Sequence, residues 1–306
     1  MEDFEFEGMW WLPETPDAKV PGTLEFSPDS GVSLDLLDSL KKPGDHFAAF
    51  QREMVESELI LGFSSEGRPA TLWGCWEKRK RVNLVGFTKT SFHADFALVG
   101  AHLGVAEDAR FKKMSAEYRH LDEWAGISGF EIKIPEDHAA HPIVIEHKRP
   151  VPVTASVAGA RIAVEVRATL RETSGLVGEA AIAQRTWMSV EYPEGGSFRE
   201  LNEALHHLRN FLRLGVGESV EPLAVRGVTE ADERTSVEIY YKPVGVRYTG
   251  KKVHPAEMLF TLGDINEDFG GFLSNWFGKA ERLGPVYDLY FATAYGFPRP
   301  TWTTGS

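Results

Sequence analysis

The chain has a single cysteine, Cys75, among its 306 residues, so it cannot form an internal disulfide. A lone thiol in a chain of this size is typical of a reducing compartment, and the sequence therefore predicts a cytoplasmic protein. The first residues, MEDFEFEG, are acidic, whereas a secretory signal begins basic and then becomes apolar. An apolar run of the roughly 20 residues that a membrane-spanning helix needs is also missing, so we expect no contact with a membrane.

The sequence also lacks the short motifs that mark common active sites. It contains no Gly-x-x-x-x-Gly-Lys-Ser/Thr phosphate loop, no Gly-x-Gly-x-x-Gly after a strand and no Gly-x-Ser-x-Gly elbow. The formal net charge of -12 disfavours a broad attraction to nucleic acid or to anionic membranes. We therefore predict that this chain is not an enzyme and that it holds no catalytic residue, cofactor or metal.

Short alternating strands dominate the first part of the chain. GTLEFSP and GVSLDLL flank a Pro-Asp-Ser-Gly turn, and SELILGFS and PATLWGCWE flank Ser-Glu-Gly. The segment SFHADFALVGAHL alternates in the same way, with Phe92, Ala94, Phe96 and Leu98 expected on one face. Repeated short strands with such turns predict an antiparallel β-sandwich-like domain over residues 1–128.

The remainder, residues 129–306, is predicted to be a mixed β/α domain. Further strands are followed by SFRELNEALHHLRNFLRLG, which has one apolar helical face and a Ser197–Glu200 capping box. A second helix is expected with Asp264 and Glu267 as its capping pair, and a third begins at Pro285. The fold class is therefore α+β and β-rich, and we expect the last helices to lead toward a C-terminal effector domain.

Adjacent tryptophans, Trp10 and Trp11, pose a question near the start of the chain. They could form a stacking platform for a ligand, in which case Trp73 and Trp76 are further candidate contacts. Alternation along a strand instead sends the two rings to opposite faces, with one in the core and one under the Pro13–Pro16 loop or a second domain. We favour this structural interpretation, because cores and interfaces often bury tryptophan.

Other candidate residues are charged. The basic run Lys78, Arg79, Lys80 and Arg81 could grip a phosphate backbone, but a solvated hairpin tip is the favoured interpretation. Possible metal ligands lie close together in the sequence at Glu136, Asp137, His138, His141 and His147, and the favoured interpretation is a solvated polar loop. His206 and His207 are expected on an exposed helix surface, away from the apolar stripe.

Five longer motifs together resemble the N-terminal region of ApeA-type bacterial anti-phage defence proteins. They are GMWWLPETPDAKVPGTLEFSPDSGVSLDLL, HLDEWAGISGF, IYYKP, HPAEMLFTLGDI and NWFGKAERLGPVYDLYFATAY. In that family the region precedes a C-terminal HEPN domain, a helical ribonuclease module linked to abortive infection. The resemblance implies that this chain is a sensing or regulatory region that controls a HEPN RNase.

The implied partners are a C-terminal HEPN domain or its equivalent, and a phage-derived protein or RNA as the trigger. A homo-oligomer is left open. HEPN nucleases carry an Arg and a His separated by four to six residues, and Arg199–His206 and Arg247–His254 have that spacing. Two such pairs are the number that chance alone gives, so no catalytic residue is carried over. The alternative function is a stand-alone cytoplasmic β-sandwich module that binds a sugar or another small ligand.

Overall fold

A computed structural model describes residues 1–40, 56–81, 89–136, 144–172, 180–243 and 253–295. The strands are β1 Phe4–Trp11, β2 Val20–Ser27, β3 Gly31–Leu36, β4 Glu56–Ser64, β5 Pro69–Arg81, β6 Lys89–Val99, β7 Arg110–Tyr118, β8 Phe130–Lys133, β9 Val144–His147, β10 Val153–Val157, β11 Ala160–Glu172, β12 Ala180–Ser197, β13 Pro222–Thr229 and β14 Ser236–Tyr241. The helices are α1 Leu121–Ala125, α2 Phe198–Val216, α3 Leu262–Ile265, α4 Phe269–Leu283 and α5 Pro285–Tyr295. The β-rich α+β class predicted from the sequence is confirmed.

The chain forms two compact units, and each is made of separate stretches of sequence. Unit 1 comprises residues 1–114, 194–203 and 222–244, and unit 2 comprises residues 115–193, 204–221 and 245–306. Strands β7 and β12 and helix α2 each contribute residues to both units. The linear division into residues 1–128 and 129–306 stays a prediction.

Unit 1 contains a closed six-stranded antiparallel barrel in the order β1-β2-β3-β6-β5-β4, with β4 returning to β1. Two three-stranded meanders build it, because β1, β2 and β3 pair in sequence order, as do β4, β5 and β6. The pairs β1–β4 and β3–β6 join the two meanders and close the barrel.

The predicted sandwich is therefore corrected to a closed barrel. The strands and their turns lie where the alternation places them, but a sandwich would keep two separate sheets. The closing pairs join residues far apart in sequence, such as Trp11 with Leu61 and Leu34 with Phe92. Closure satisfies the backbone groups that an open sheet would expose along its two edges.

Alternate residues of the barrel strands fill its interior. The buried interior cluster is Trp10, Leu12, Val20, Leu24, Phe26, Val32, Leu34, Leu36, Leu40, Ile60, Ala70, Leu72, Cys75, Phe92, Ala94 and Ala97. The predicted alternation of β6 holds for Phe92 and Ala94 and then breaks, because Ala97 belongs to this cluster while Phe96 packs against Phe198 and Tyr241. The C-terminal residues of β6 also pair with β14, from Val99↔Glu238 to Phe96↔Tyr241.

Unit 2 is built on the strand order β10-β11-β12-β7 and on a separate two-stranded sheet of β8 and β9. The pair β11–β12 is long and regular, from Arg161↔Glu191 to Glu172↔Ala180. Helices α1, α3, α4 and α5 and most of α2 belong to this unit. No helix within the described residues is long and apolar enough to span a membrane.

Capping side chains define the helix starts. The predicted box at α2 is confirmed, because the Ser197 N–H and hydroxyl both donate to Glu200 Oε2 at 2.8 Å and Glu200 N–H donates back to Ser197 Oγ. The predicted Asp264–Glu267 pair is wrong. Thr261 and Asp264 form a box at α3, and Asp268 accepts from Gly271 N–H at the start of α4. A short 3-10 turn between these helices resets the phase, which periodicity alone does not reveal.

Candidate functional site

Strand β1 sends its two adjacent tryptophans to opposite faces, as predicted. Trp10 is fully buried inside the barrel, where its Nε1–H donates to the Gly22 carbonyl at 3.3 Å. Trp11 lies on the outer face and is covered by the rings of Phe63 and His102, with the Lys19 ammonium 4.8 Å from the ring centroid. These groups contribute to the cover of Trp11, and its predicted place under the Pro13–Pro16 loop or a second domain stays a prediction.

The other two candidate tryptophans lie on β5. Trp73 is buried, its Nε1–H donates to the Gly104 carbonyl at 2.8 Å, and its ring contacts Phe198. Trp76 is 42% exposed and lies beside the His93 ring. The four tryptophans thus form no common exposed platform, and a ligand-binding role for any of them stays a prediction.

The basic run lies within β5 rather than at the hairpin tip that we predicted. Lys78 is exposed, and the backbones of Arg79, Lys80 and Arg81 pair with β6. Arg81 is opposite Lys89, which is itself exposed. The side chains of Arg79, Lys80 and Arg81 are outside the described part of the chain, so their role in contacting a phosphate backbone stays a prediction.

A cleft of about 410 Å³ lies on unit 1. It is lined by Glu5, Phe6, Glu7, Ser64, Ser65, Glu66 and Arg68. The Arg68 guanidinium already donates to Glu238 Oε2 at 2.7 Å, and this contact raises the pKa of Arg68. Carboxylates therefore dominate the free polar groups of the cleft, and none of the candidate tryptophans lines it.

Neither a metal site nor a reactive thiol is found in the described part of the chain. Asp137, His138 and His141 lie outside the described residues, and within them no His, Cys, Asp or Glu group is arranged to hold a metal ion. Cys75 is buried in the barrel interior, where burial raises the pKa of its thiol. A thiol that stays protonated is a poor nucleophile.

The predicted exposure of His206 and His207 is wrong, because both side chains are half-buried. His206 makes hydrogen bonds to Arg209 and Asn210, each at 3.1 Å. The His207 ring contacts Phe277 and Tyr287. The helical wheel places both histidines away from the first apolar stripe, but α4 and α5 supply the ring contacts of His207, and His206 bonds to residues of its own helix.

Helices α4 and α5 meet in an aromatic cluster centred on Trp276. Its Nε1–H donates to the His207 carbonyl at 2.9 Å, and its ring contacts Tyr287 at 5.3 Å and Phe291 at 6.0 Å between centroids. Tyr287 and Phe291 are buried, so one side of α5 is firmly packed. The predicted start of this helix at Pro285 is confirmed.

Both helices also carry large apolar side chains that are open to solvent. We call this set the α4–α5 face, and it consists of Phe272, Leu283, Val286, Leu289 and Tyr290. Val286 and Leu289 are 65% and 66% exposed. Val286, Leu289 and Tyr290 share one side of α5 by helical period, and exposed apolar residues that lie together mark interaction sites.

The sequence located this face only in part. The apolar character of the last helix predicts that Tyr287, Leu289, Tyr290 and Phe291 need a packing partner, and of these Leu289 and Tyr290 are exposed. The helical period of α4 predicts an inward Phe272, which is wrong because its side chain is 47% exposed. Leu283 and Val286 were missed. The missed signal was the helical period of α5, which places residues 286, 289 and 290 on one side and residues 287 and 291 on the other. The α4–α5 face is the candidate functional site.

Comparison with known proteins gives one result. The model of the family described as ApeA N-terminal domain 1 matches residues 5–276. No curated protein and no solved structure matches the chain significantly. The matched region includes nearly all of the barrel and ends inside α4, so α5 lies immediately after it.

Proposed function

This chain belongs to the ApeA N-terminal domain 1 family, and on that premise we propose that it restrains a C-terminal HEPN RNase until phage infection is sensed. The family places the chain in the N-terminal region of an anti-phage defence protein. In the proposed division of labour, this region contributes contacts and the HEPN domain contributes RNA cleavage. A phage-derived protein or RNA is the proposed trigger, and the sensing region and the HEPN domain act in the cytoplasm.

The α4–α5 face is the observation that carries this proposal. Its first residue, Phe272, lies near the end of the family match, and the face extends through α5. In the sequence it therefore lies at the C-terminal border of the matched region, and the family resemblance implies that a HEPN domain follows there. Its exposed side chains are apolar, which suits a lasting contact with a helical domain. The HEPN domain is the proposed occupant, and its release from this face is the proposed activation step.

The test uses an ApeA protein in which this chain precedes its HEPN domain. Leu289→Asp places a charge within the face, and we expect growth arrest and RNA cleavage without infection, because a buried carboxylate opposes docking. Val151→Asp is the matched control, since Val151 is also apolar, exposed by 86% and part of unit 2. Both variants should fold normally, because an exposed substitution of this kind changes stability by only about 0.5 kcal/mol.

Two outcomes oppose the proposal. If Leu289→Asp leaves growth and RNA unchanged while the wild-type protein still responds to phage, the face does not restrain the HEPN domain. Equal activation by Val151→Asp would show a general effect of added charge rather than release from α5. In either case the stand-alone ligand-binding module becomes the better account.

A further inference from the structure

The β8–β9 hairpin of unit 2 is amphipathic and largely exposed. Three isoleucines at its end project into solvent, with Ile132, Ile145 and Ile134 exposed by 59%, 54% and 63%. Neither strand is joined to the main sheet in the described part of the chain, since β8 and β9 form a two-stranded sheet of their own. Exposed apolar ladders of this kind mark contact surfaces.

The register sorts the side chains of this hairpin onto two faces. Ile132 is opposite Ile145 and Phe130 is opposite His147, so these residues form an apolar face. The other face carries an ion-pair network, in which Lys133 and Lys148 each contact Glu131 and Glu146 at 3.2–3.8 Å. These contacts lower the pKa of Glu131, with its hydrogen bond to Lys133 as the main cause.

The base of the hairpin is held in place by Gln184 of β12. Its side-chain oxygen accepts from Gly129 N–H at 2.9 Å, and its amide donates to the Ile127 carbonyl at 2.6 Å. Lys148 N–H then donates to the Gly129 carbonyl. The hairpin is therefore anchored at one end, while no other described strand covers its edges.

The same backbone bond shows which groups lie on the free edge of β8. Because the Gly129 carbonyl accepts from Lys148 N–H and so faces β9, alternation makes Glu131 and Lys133 the residues whose N–H and C=O groups face β9. The N–H and C=O groups of Ile132 and of the residues two places before and after it point outward. The Phe130 N–H donates to Ser128 Oγ at 3.2 Å, so pairing at this edge exchanges that local bond for one across the edge. Phe130 and Ile134 are therefore the neighbours of Ile132 on the open edge.

We propose that this edge pairs with the β8 edge of a second copy of the chain, antiparallel and with the two-fold axis at Ile132. Ile132 then pairs with its own copy, and Phe130 pairs with Ile134 of the other copy, on the apolar face. Glu131 pairs with Lys133 of the other copy, on the charged face. The two hairpins become one four-stranded sheet, which is an isologous contact.

Self-complementarity is the reason for assigning a second copy rather than another partner. In this register, each apolar side chain of the edge faces an apolar side chain, and each charged side chain faces one of opposite charge. The β9 edge has no such property, because a two-fold axis at Ile145 would place Val144 against Glu146. Strand β8 has only four residues, Phe130–Lys133, so a longer strand from another protein gains little here.

Oxidative cross-linking tests the register directly. In the proposed dimer the two copies of residue 132 have Cα atoms about 5.5 Å apart, within the roughly 4.4–6.8 Å range for a disulfide. Ile132→Cys should therefore form a covalent dimer under mild oxidation. Ile145→Cys is the matched control, since its copies are three strand spacings apart, about 14 Å, and it should form no covalent dimer. The one native cysteine, Cys75, is buried and does not interfere.

Sedimentation velocity over a concentration series tests the association itself. Ile132→Lys places two ammonium groups on the axis, and we expect the dimer Kd to rise about tenfold or more. Ile145→Lys adds the same charge to the same face of the hairpin and should change Kd much less. The inference is overturned by a wild-type chain that stays monomeric throughout the series, or by equal effects of the two lysines. Either result leaves the proposed function untouched, because the test involves no HEPN domain.

Discussion

Replacing Trp10 with alanine tests the barrel core most severely. Trp10 is fully buried, its ring packs directly on Gly62, and its indole N–H donates to the Gly22 carbonyl. A Cβ added at Gly62 would come within 2.3 Å of the ring, so no gap separates the two residues. Since neither glycine has a side chain that could fill the space, the cavity left by Trp10→Ala cannot collapse readily.

The expected cost follows from this burial. A tryptophan hides about 200 Å² of surface, and at about 25 cal/mol per Å² this is worth about 5 kcal/mol. Measured Trp→Ala losses in protein cores are about 3–5 kcal/mol, and we expect the upper end of this range. Trp76 is 42% exposed, so Trp76→Ala should cost less than about 3 kcal/mol by the same reasoning.

Urea unfolding followed by far-ultraviolet circular dichroism measures this difference. The midpoint for Trp10→Ala should fall well below that for Trp76→Ala, and Trp10→Phe should lie between Trp10→Ala and the wild type. Equal midpoints for the two alanine variants would refute the assignment of Trp10 to the core. A stacking platform would be supported by a different result. Wild type and Trp10→Ala would then have equal urea midpoints without ligand, and an added ligand would raise the midpoint of the wild type only.

Two further predictions concern capping and backbone conformation. Ser197→Ala should lower the free energy of unfolding by about 1 kcal/mol. The hydrogen bonds from Ser197 hold the pKa of Glu200 below its usual value. The loss of unfolding free energy in Glu200→Ala should therefore be constant above the pKa of Glu200 in the unfolded chain, and it should shrink as pH falls through the lower pKa of the folded chain. Urea titrations from neutral to acidic pH check both variants. Gly74→Ala should lower the melting temperature more than Gly67→Ala, although both glycines have positive φ. A Cβ added at Gly74 would come within 2.3 Å of Asp95 Oδ2, whereas one added at Gly67 meets nothing within 4 Å. Equal costs at the two glycines would contradict the close packing at Asp95.

Local patterns predicted the parts of this fold well. The turns between the first strands, the capping box at Ser197 and the start of α5 at Pro285 each depend on a few neighbouring residues, and each is confirmed. The opposite directions of Trp10 and Trp11 follow from strand alternation alone. Such features are accessible because their energies arise within one turn or one strand.

The errors have a common origin in contacts between distant segments. A sandwich and a closed barrel have the same alternating strands, and the pairs β1–β4 and β3–β6 distinguish them. His207 was expected to be exposed because α2 alone gives no sign of Phe277 on α4 and Tyr287 on α5, which contact its ring. His206 is half-buried and bonds to Arg209 and Asn210 of its own helix, a local arrangement that the helical wheel does not show. The helical period shows which residues share a side of a helix, but not which side another element will cover.

The candidate surfaces divide in the same way. The ApeA resemblance and the apolar character of the last helix were readable from the sequence, and the family match over residues 5–276 confirms the former. Only the structure separated Tyr287 and Phe291, which pack on Trp276, from Leu289, which is exposed. The β8 edge was not visible in the sequence at all, because FEIKIP resembles any short alternating strand until its hydrogen-bond partner is known.

The sequence by itself therefore determined the family, the β-rich class, several turns and helix starts, and the absence of familiar active-site motifs. Tertiary structure decided how the barrel closes, which aromatic rings are covered and which apolar faces remain open. The physical reason is that backbone conformation and capping are settled by near neighbours, whereas burial is a property of the whole packed unit. An apolar residue carries the same transfer free energy wherever it stands, and only its packing partners decide whether it contributes to the core or is left to bind something else.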